Sequence, residues 1–151
     1  MTRKEKKQEL KIRLAKPGDS TRLADLSGQL GYPATAAQIR KRLRGIRPSS
    51  QYAVFVAETQ DAGVIGWIHV SKQPLLETDM RAEINGLVVA EGQRSRGAGA
   101  KLLAAAEDWA RQRGCKGMSV RSNVIRERAH QFYERNDYEH YKTQKSFRKR
   151  L

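Results

Sequence analysis

The stretch "EGQRSRGAGAKLL" (91–103) constrains this chain more than any other, because of what stands on either side of it. Before it runs "MRAEINGLVV" (80–89), a β-rich segment. After it Leu102, Leu103, Ala106, Trp109 and Ala110 fall on one stripe at helical spacing, and Gly114 supplies the stop. "CKGMSVRS" (115–122) then reads as another strand. A strand, a helix and a strand within 80–121 imply two parallel strands joined by a right-handed crossover. All-helical and purely antiparallel folds are thereby set aside.

The remaining segments build outward from this unit. "KIRLA" (11–15) reads as a short strand, and "KPGDS" as a turn with Asp19 or Ser20 as helix N-cap. Leu23, Leu26 and Leu30 mark one helix, ended by "GYP" (31–33). Thr35 caps a second, with Ala36, Ile39, Leu43 and Ile46 inward and Arg40, Lys41, Arg42, Arg44 and Arg47 on its other face. "QYAVFVAET" (51–59) and "GVIGWIHV" (63–70) form a hairpin across "QDA", and "SKQPLLETD" is a loop. Beyond 122, "RERAHQFYERND" reads as a helix, and "YEHYKTQ" and "KSFRKRL" as closing strands. The predicted order is β-α-α-β-β-β-α-β-α-β-β: an α/β fold with a mixed, twisted sheet and helices on both faces. A basic arm (1–10) precedes one domain (11–151).

Composition narrows the function classes. With 151 residues, 38% hydrophobic and 30% charged, the chain can bury a core. Its single Cys115 gives no disulfide framework and fits a reducing, cytoplasmic setting. Three scattered His show no metal-ligand spacing, and no apolar run is long enough to span a bilayer. A net charge of +14 favours an anionic partner, whether nucleic acid, acidic protein or polyphosphate cofactor. No nucleic-acid motif accompanies that charge.

The glycine loop offers a place for such an anion. A helix N-terminus carries unpaired N–H donors, glycines admit close backbone approach, and Arg94 and Arg96 add charge. The Walker pattern fails for lack of spacing and hydroxyl, and the dinucleotide fingerprint fails because position 102 is Leu.

"RSRGAG" (94–99) instead matches the [QR]-x-x-G-x-[GA] signature and resembles the GNAT superfamily of acyl-CoA-dependent N-acetyltransferases. "INGLVVAEGQRSRGAGAKLLAAAEDWA" is similar to that family's fourth strand, pyrophosphate loop and third helix. "RERAHQFYERNDY" resembles its helix ending in F-Y-E-[KR]-x-G-[FY]. The likeness covers residues 11 to 151. It implies acetyl-CoA as co-substrate, with main-chain groups of Leu87, Val88 and Val89 along the pantetheine arm. The amides of Arg94, Ser95, Arg96, Gly97, Ala98, Gly99 and Ala100 are implied to hold the pyrophosphate. Two positions depart from the pattern: Arg126 replaces an Asn and is expected to meet the anionic cofactor, and Asp137 replaces the turn Gly.

The same resemblance implies Tyr133 as general acid for the leaving thiolate, against the alternative of a core stripe with Ala129 and Phe132. Glu83 is the candidate base through water, against an outward strand residue paired with Asn85. The N–H of Leu87 or Val88 is the candidate carbonyl donor. His69 and His140 read as ordinary strand residues, and His130 as a surface residue. The expected acceptor is a primary amine of a small molecule, aminoglycoside-like or other. Protein lysine or N-terminal acetylation and a non-catalytic nucleic-acid-binding domain are the alternatives, and a homodimer is compatible with all three.

Overall fold

The computed structural model describes residues 9–46 and 49–151. Most of the expected basic arm, with Arg47, lies outside the described residues. Two compact units divide the chain, one running to Arg121 and the other from Ser122 to Leu151.

In the first unit the elements are β1 (Lys11–Leu14), α1 (Ser20–Leu30), α2 (Ala36–Gly45), β2 (Tyr52–Thr59), β3 (Gly63–Gln73), β4 (Arg81–Val89), α3 (Ala98–Gln112) and β5 (Met118–Val120). The second contains α4 (Glu127–Arg135). The strands lie in sequence order; β1 to β4 are antiparallel neighbours, and β5 is parallel to β4. The predicted β4–α3–β5 crossover is thus present.

Alternation along the strands separates two apolar layers. Val56, Trp67 and Val88, aligned across β2, β3 and β4, pack with Leu23 and Leu26 of α1. One residue along, Gly66 faces the other way, where an added Cβ would lie 3.2 Å from Leu102 of α3. α1 and α3 therefore cover opposite faces of the sheet. The α3 stripe is buried as its spacing requires, from Leu102 through Ala110.

Local signals explain the helix ends. Thr35 Oγ1 accepts from Gln38 N while Gln38 Oε1 accepts from Thr35 N, a complete capping box. α1 and α3 end at Gly31 and Gly114, both with positive φ. Asp19 does precede α1, but its side chain does not cap it. Its carboxylate instead takes a bidentate pair from Arg13 at 2.8 and 2.9 Å and the Lys16 N–H at 2.7 Å. Arg13 also reaches Glu58, so one guanidinium joins β1, β2 and the start of α1. That guanidinium holds the Asp19 carboxyl below its usual pKa.

Two sequence expectations require correction. β3 continues through Gln73, so part of the expected loop is strand; Ser71, Lys72 and Gln73 pair with Glu83, Ala82 and Arg81. Among the described residues no strand follows β5. The segment 138–151 has β-forming residues, yet Tyr141, Phe147 and Leu151 are exposed and basic residues separate them. Without a buried face, β propensity alone does not make a ladder.

The helix stop in the second unit matches the departure from the family pattern. Asp137 has φ 68°, with Asp137 N bonded to Glu134 O and Tyr138 N to Tyr133 O, a Schellman ending made without glycine. Asp137→Gly is expected to raise stability by about 0.5–1 kcal/mol and Tm by about 2 °C. A lower Tm by calorimetry would contradict the strain.

Candidate functional site

β4 changes partners partway along its length. Its pairing with β5 covers only Ala82, Ile84 and the Glu83 between them. On the β3 side, Gly86 pairs with His69 and Ile84 with Val70, which leaves Asn85 as an extra residue, a bulge. From Gly86 onward β4 is held by β3 alone.

The direction of the remaining main-chain groups follows from antiparallel alternation. Ala90 N donates to Ile65 O at 2.7 Å, so the same hydrogen-bonded phase places Val88 toward Trp67. The N–H and C=O of Leu87 and Val89 then point to the open edge. Arg94 Nε, lying 3.4 Å from Val89 O, is consistent with this. Of the two expected carbonyl donors, Leu87 is thus on the open side and Val88 is committed to the sheet.

The edge leads straight into the glycine loop. Glu91–Arg96 makes a 3-10 turn, and Gly97 follows in the left-handed region at φ 75°. The Gln29 side chain of α1 accepts from Glu91 N and anchors the turn. α3 starts at Ala98, and Lys101 N to Gly97 O is its first helical bond. The N–H groups of Ala98, Gly99 and Ala100 therefore precede the helical ladder, beside exposed Arg94 and Arg96. Ser95 lies within the turn. An extended arm along Leu87–Val89 ending in a polyanion at Gly97 fits this arrangement of donors.

Known proteins resemble this chain over most of its length. Residues 24–138 match the model of the Acetyltransferase (GNAT) family. The chain belongs to the GNAT family of acetyltransferases. This acetyltransferase is 28% identical over 134 residues to the N-acetyltransferase YhfO of Bacillus subtilis (strain 168), covering 86% of this chain and 90% of that one. A GNAT family acetyltransferase of Staphylococcus aureus subsp. aureus USA300_TCH1516 has 25% identity and a TM-score of 0.72, over 94% and 98% of the two chains. The aminoglycoside N-acetyltransferase AAC(6')-Iy, solved with CoA, shares the fold at 20% identity and a TM-score of 0.83, over 95% and 97%. The protein is an acetyl-CoA-dependent N-acetyltransferase.

Glu83 of the acetyltransferase sits in register with Ser71 on β3 and Ser119 on β5. Asn85 is not its cross-strand partner, because both lie on β4. The carboxylate is 13% exposed and accepts from Arg121 Nε at 2.8 Å, while Arg121 itself is largely in water. Asn85 Nδ2 donates to Ser71 Oγ at 2.8 Å, and Gln73 Nε2 also reaches that hydroxyl. This polar row was not read from the sequence. An Asn-Gly pair inside a strand, Asn85-Gly86, was the available sign of a bulge. Gly86 is also required sterically: an added Cβ would meet the Trp67 ring at 2.8 Å.

In the second unit Tyr133 stacks edge-on with Phe132 and Tyr138, at centroid separations of 5.2 and 5.7 Å. Burial pushes its phenol up to about 12, and the charge of Arg126 opposes the shift. Arg126 stands at the N-terminus of α4, where its N–H bonds Asn123 O. His130 Nε2 also contacts Asn123 O, at 2.9 Å, as part of that turn.

A cleft of about 470 Å³ elsewhere in the first unit is lined by Leu14, Phe55 and Trp109 among others. Its α3 lining runs from Ala105 to Gln112, about 12 to 22 Å along the helix from Gly97.

Proposed function

We propose that this acetyltransferase acetylates a primary amine on a small molecule by direct attack within a ternary complex. The observation that carries this reading is the open β4 edge running into the Gly97 turn. Acetyl-CoA supplies the activated acetyl thioester. Leu87 and Val89 bind the pantetheine arm as an added strand, and the Leu87 N–H polarises the carbonyl. Amides from Arg94 to Ala100, with Arg94 and Arg96, hold the pyrophosphate, and the family resemblance assigns Arg126 a cationic contact with the cofactor. The family resemblance assigns the proton for the departing sulfur to Tyr133, which burial keeps protonated over the working pH range. Glu83, oriented by Arg121, assists the amine through water. Holding both reactants in place contributes most of the acceleration, on the order of 7–11 kcal/mol.

The outer face of α2 bears on the acceptor. Arg40, Lys41, Arg42 and Arg44 are exposed, and no carboxylate pairs with them among the described residues. That field disfavours a polycation such as an aminoglycoside, even though an aminoglycoside enzyme shares the fold. It favours a monoamine, above all one that also carries an acidic group. A thiol-release screen over aminoglycosides, polyamines, amino sugars and their phosphates, amino acids and lysine peptides tests the reading. The expected result is release with small monoamines ahead of aminoglycosides. Release with peptides alone would move the enzyme to protein acetylation.

A further inference from the structure

The C-terminal segment carries apolar side chains that the chain itself leaves uncovered. His140 Nε2 contacts Lys142 O at 3.1 Å and Thr143 Oγ1 at 3.0 Å, which closes a local turn. Over 144–151, strand alternation puts Phe147 and Leu151 on one face and Gln144, Ser146, Arg148 and Arg150 on the other. Phe147 is 90% exposed, and Leu151 is fully so. Lys145 and Lys149 share their face, where long stems can lie over apolar surface with the ammonium groups in water.

β5, in the first unit, has the matching deficit. It is the last strand of the sheet. Ala82 N donates to Gly117 O at 3.0 Å. Parallel alternation then turns the main-chain groups of Gly117 and Ser119 toward β4 and those of Met118 and Val120 outward. Val70, Ile84 and Val120 lie side by side across β3, β4 and β5, and Ala82 lies beside Met118. Val70, Ile84 and Ala82 are buried, yet Met118 and Val120 are only half-buried. An apolar layer and a hydrogen-bonded ladder thus both stop unfinished at one strand. Such an edge is a template for a further strand.

We propose that residues 144–151 of one molecule add to β5 of a second copy, and that the second copy returns the same exchange. Phe147 and Leu151 then extend the layer of Val70, Ile84 and Val120. The outward N–H and C=O groups of Met118 and Val120 gain partners. Each chain offers one such segment and one such edge, so a two-fold exchange satisfies both and closes with no free end to propagate. That reciprocity selects a second copy as the partner. Charge opposes the contact, because Lys142, Lys145, Arg148, Lys149 and Arg150 approach a chain of net charge +14. The association is therefore driven by apolar and main-chain contacts, and added salt strengthens it. It does not depend on the reading of β4 as the thioester-binding edge.

Sedimentation velocity on the full chain and on Phe147→Asp tests the proposal. With Phe147 90% exposed, the substitution removes little contact within the chain. The wild type is expected to be a dimer at about 100 μM, and to dissociate less in about 0.5 M salt than in about 0.05 M. Phe147→Asp is expected to raise the dimer Kd about 30-fold or more. Removal of 144–151 is expected to leave a monomer. Amide exchange reads the other side of the contact: Met118 and Val120 should exchange slowly in the dimer and quickly in Phe147→Asp. A wild type that stays monomeric at about 100 μM overturns the proposal. So does a dimer that Phe147→Asp leaves unchanged, or one whose Met118 and Val120 amides exchange as fast as in the variant. A monomer that binds phosphatidylserine vesicles through Phe147 also overturns it and assigns the segment to a lipid surface.

Discussion

Gly97→Val is expected to weaken acetyl-CoA binding about ten- to thirtyfold while leaving the fold intact. Gly97 holds φ 75° between the 3-10 turn and α3, and nothing lies within 4 Å of where its Cβ would be. The penalty is therefore conformational, not steric. A β-branched residue in the left-handed region costs about 1–2 kcal/mol, and the loop relieves it by turning its amides away from the anion. Gly97→Asn should lie between wild type and Val, because Asn tolerates this conformation. Titration calorimetry on the three proteins gives the ranking. Equal affinities would show that the loop does not hold the pyrophosphate.

Tyr133→Phe is expected to lower kcat by about 100-fold or more with acetyl-CoA affinity kept within twofold. The substitution removes only the hydroxyl, so the edge-on contacts with Phe132 and Tyr138 persist. The sign of the pH effect follows from burial. With the phenol pushed up to about 12, Tyr133 stays protonated at neutral and moderately alkaline pH. Tyr133 is expected to give no limb between pH 7 and 10, and any limb there belongs to another group. Unchanged turnover in Tyr133→Phe would return the residue to a packing role.

Much of the fold was legible because its signals are local. The β4–α3–β5 unit follows from periodicity and from Gly97 and Gly114. The Thr35 capping box needs only four consecutive residues, and the left-handed Asp137 is read from one motif. Asp19 shows where local reasoning stops. Its cap-forming chemistry is real, but Arg13, six residues away, offers two charge-assisted bonds in place of one neutral N–H. The C-terminal strands failed for a related reason, since β propensity at 138–151 has no buried face to serve.

The site divides in the same way. The glycine turn before α3 was visible as a motif, because glycines and a helix start are sequence features. The open edge was not, for it depends on β5 being three residues long and on the register shift at Asn85. Alternation from the Ala90–Ile65 bond then separates Leu87 from Val88, a distinction that an apolar run cannot make.

Binding of acetyl-CoA is proposed to depend on the β4 edge and the Gly97 turn together. Calorimetric titration of acetyl-CoA into the full wild-type chain tests it most directly. Saturable binding is expected, with a Kd in the micromolar range or tighter and displacement by CoA. Absence of binding at millimolar acetyl-CoA by a folded chain would contradict it.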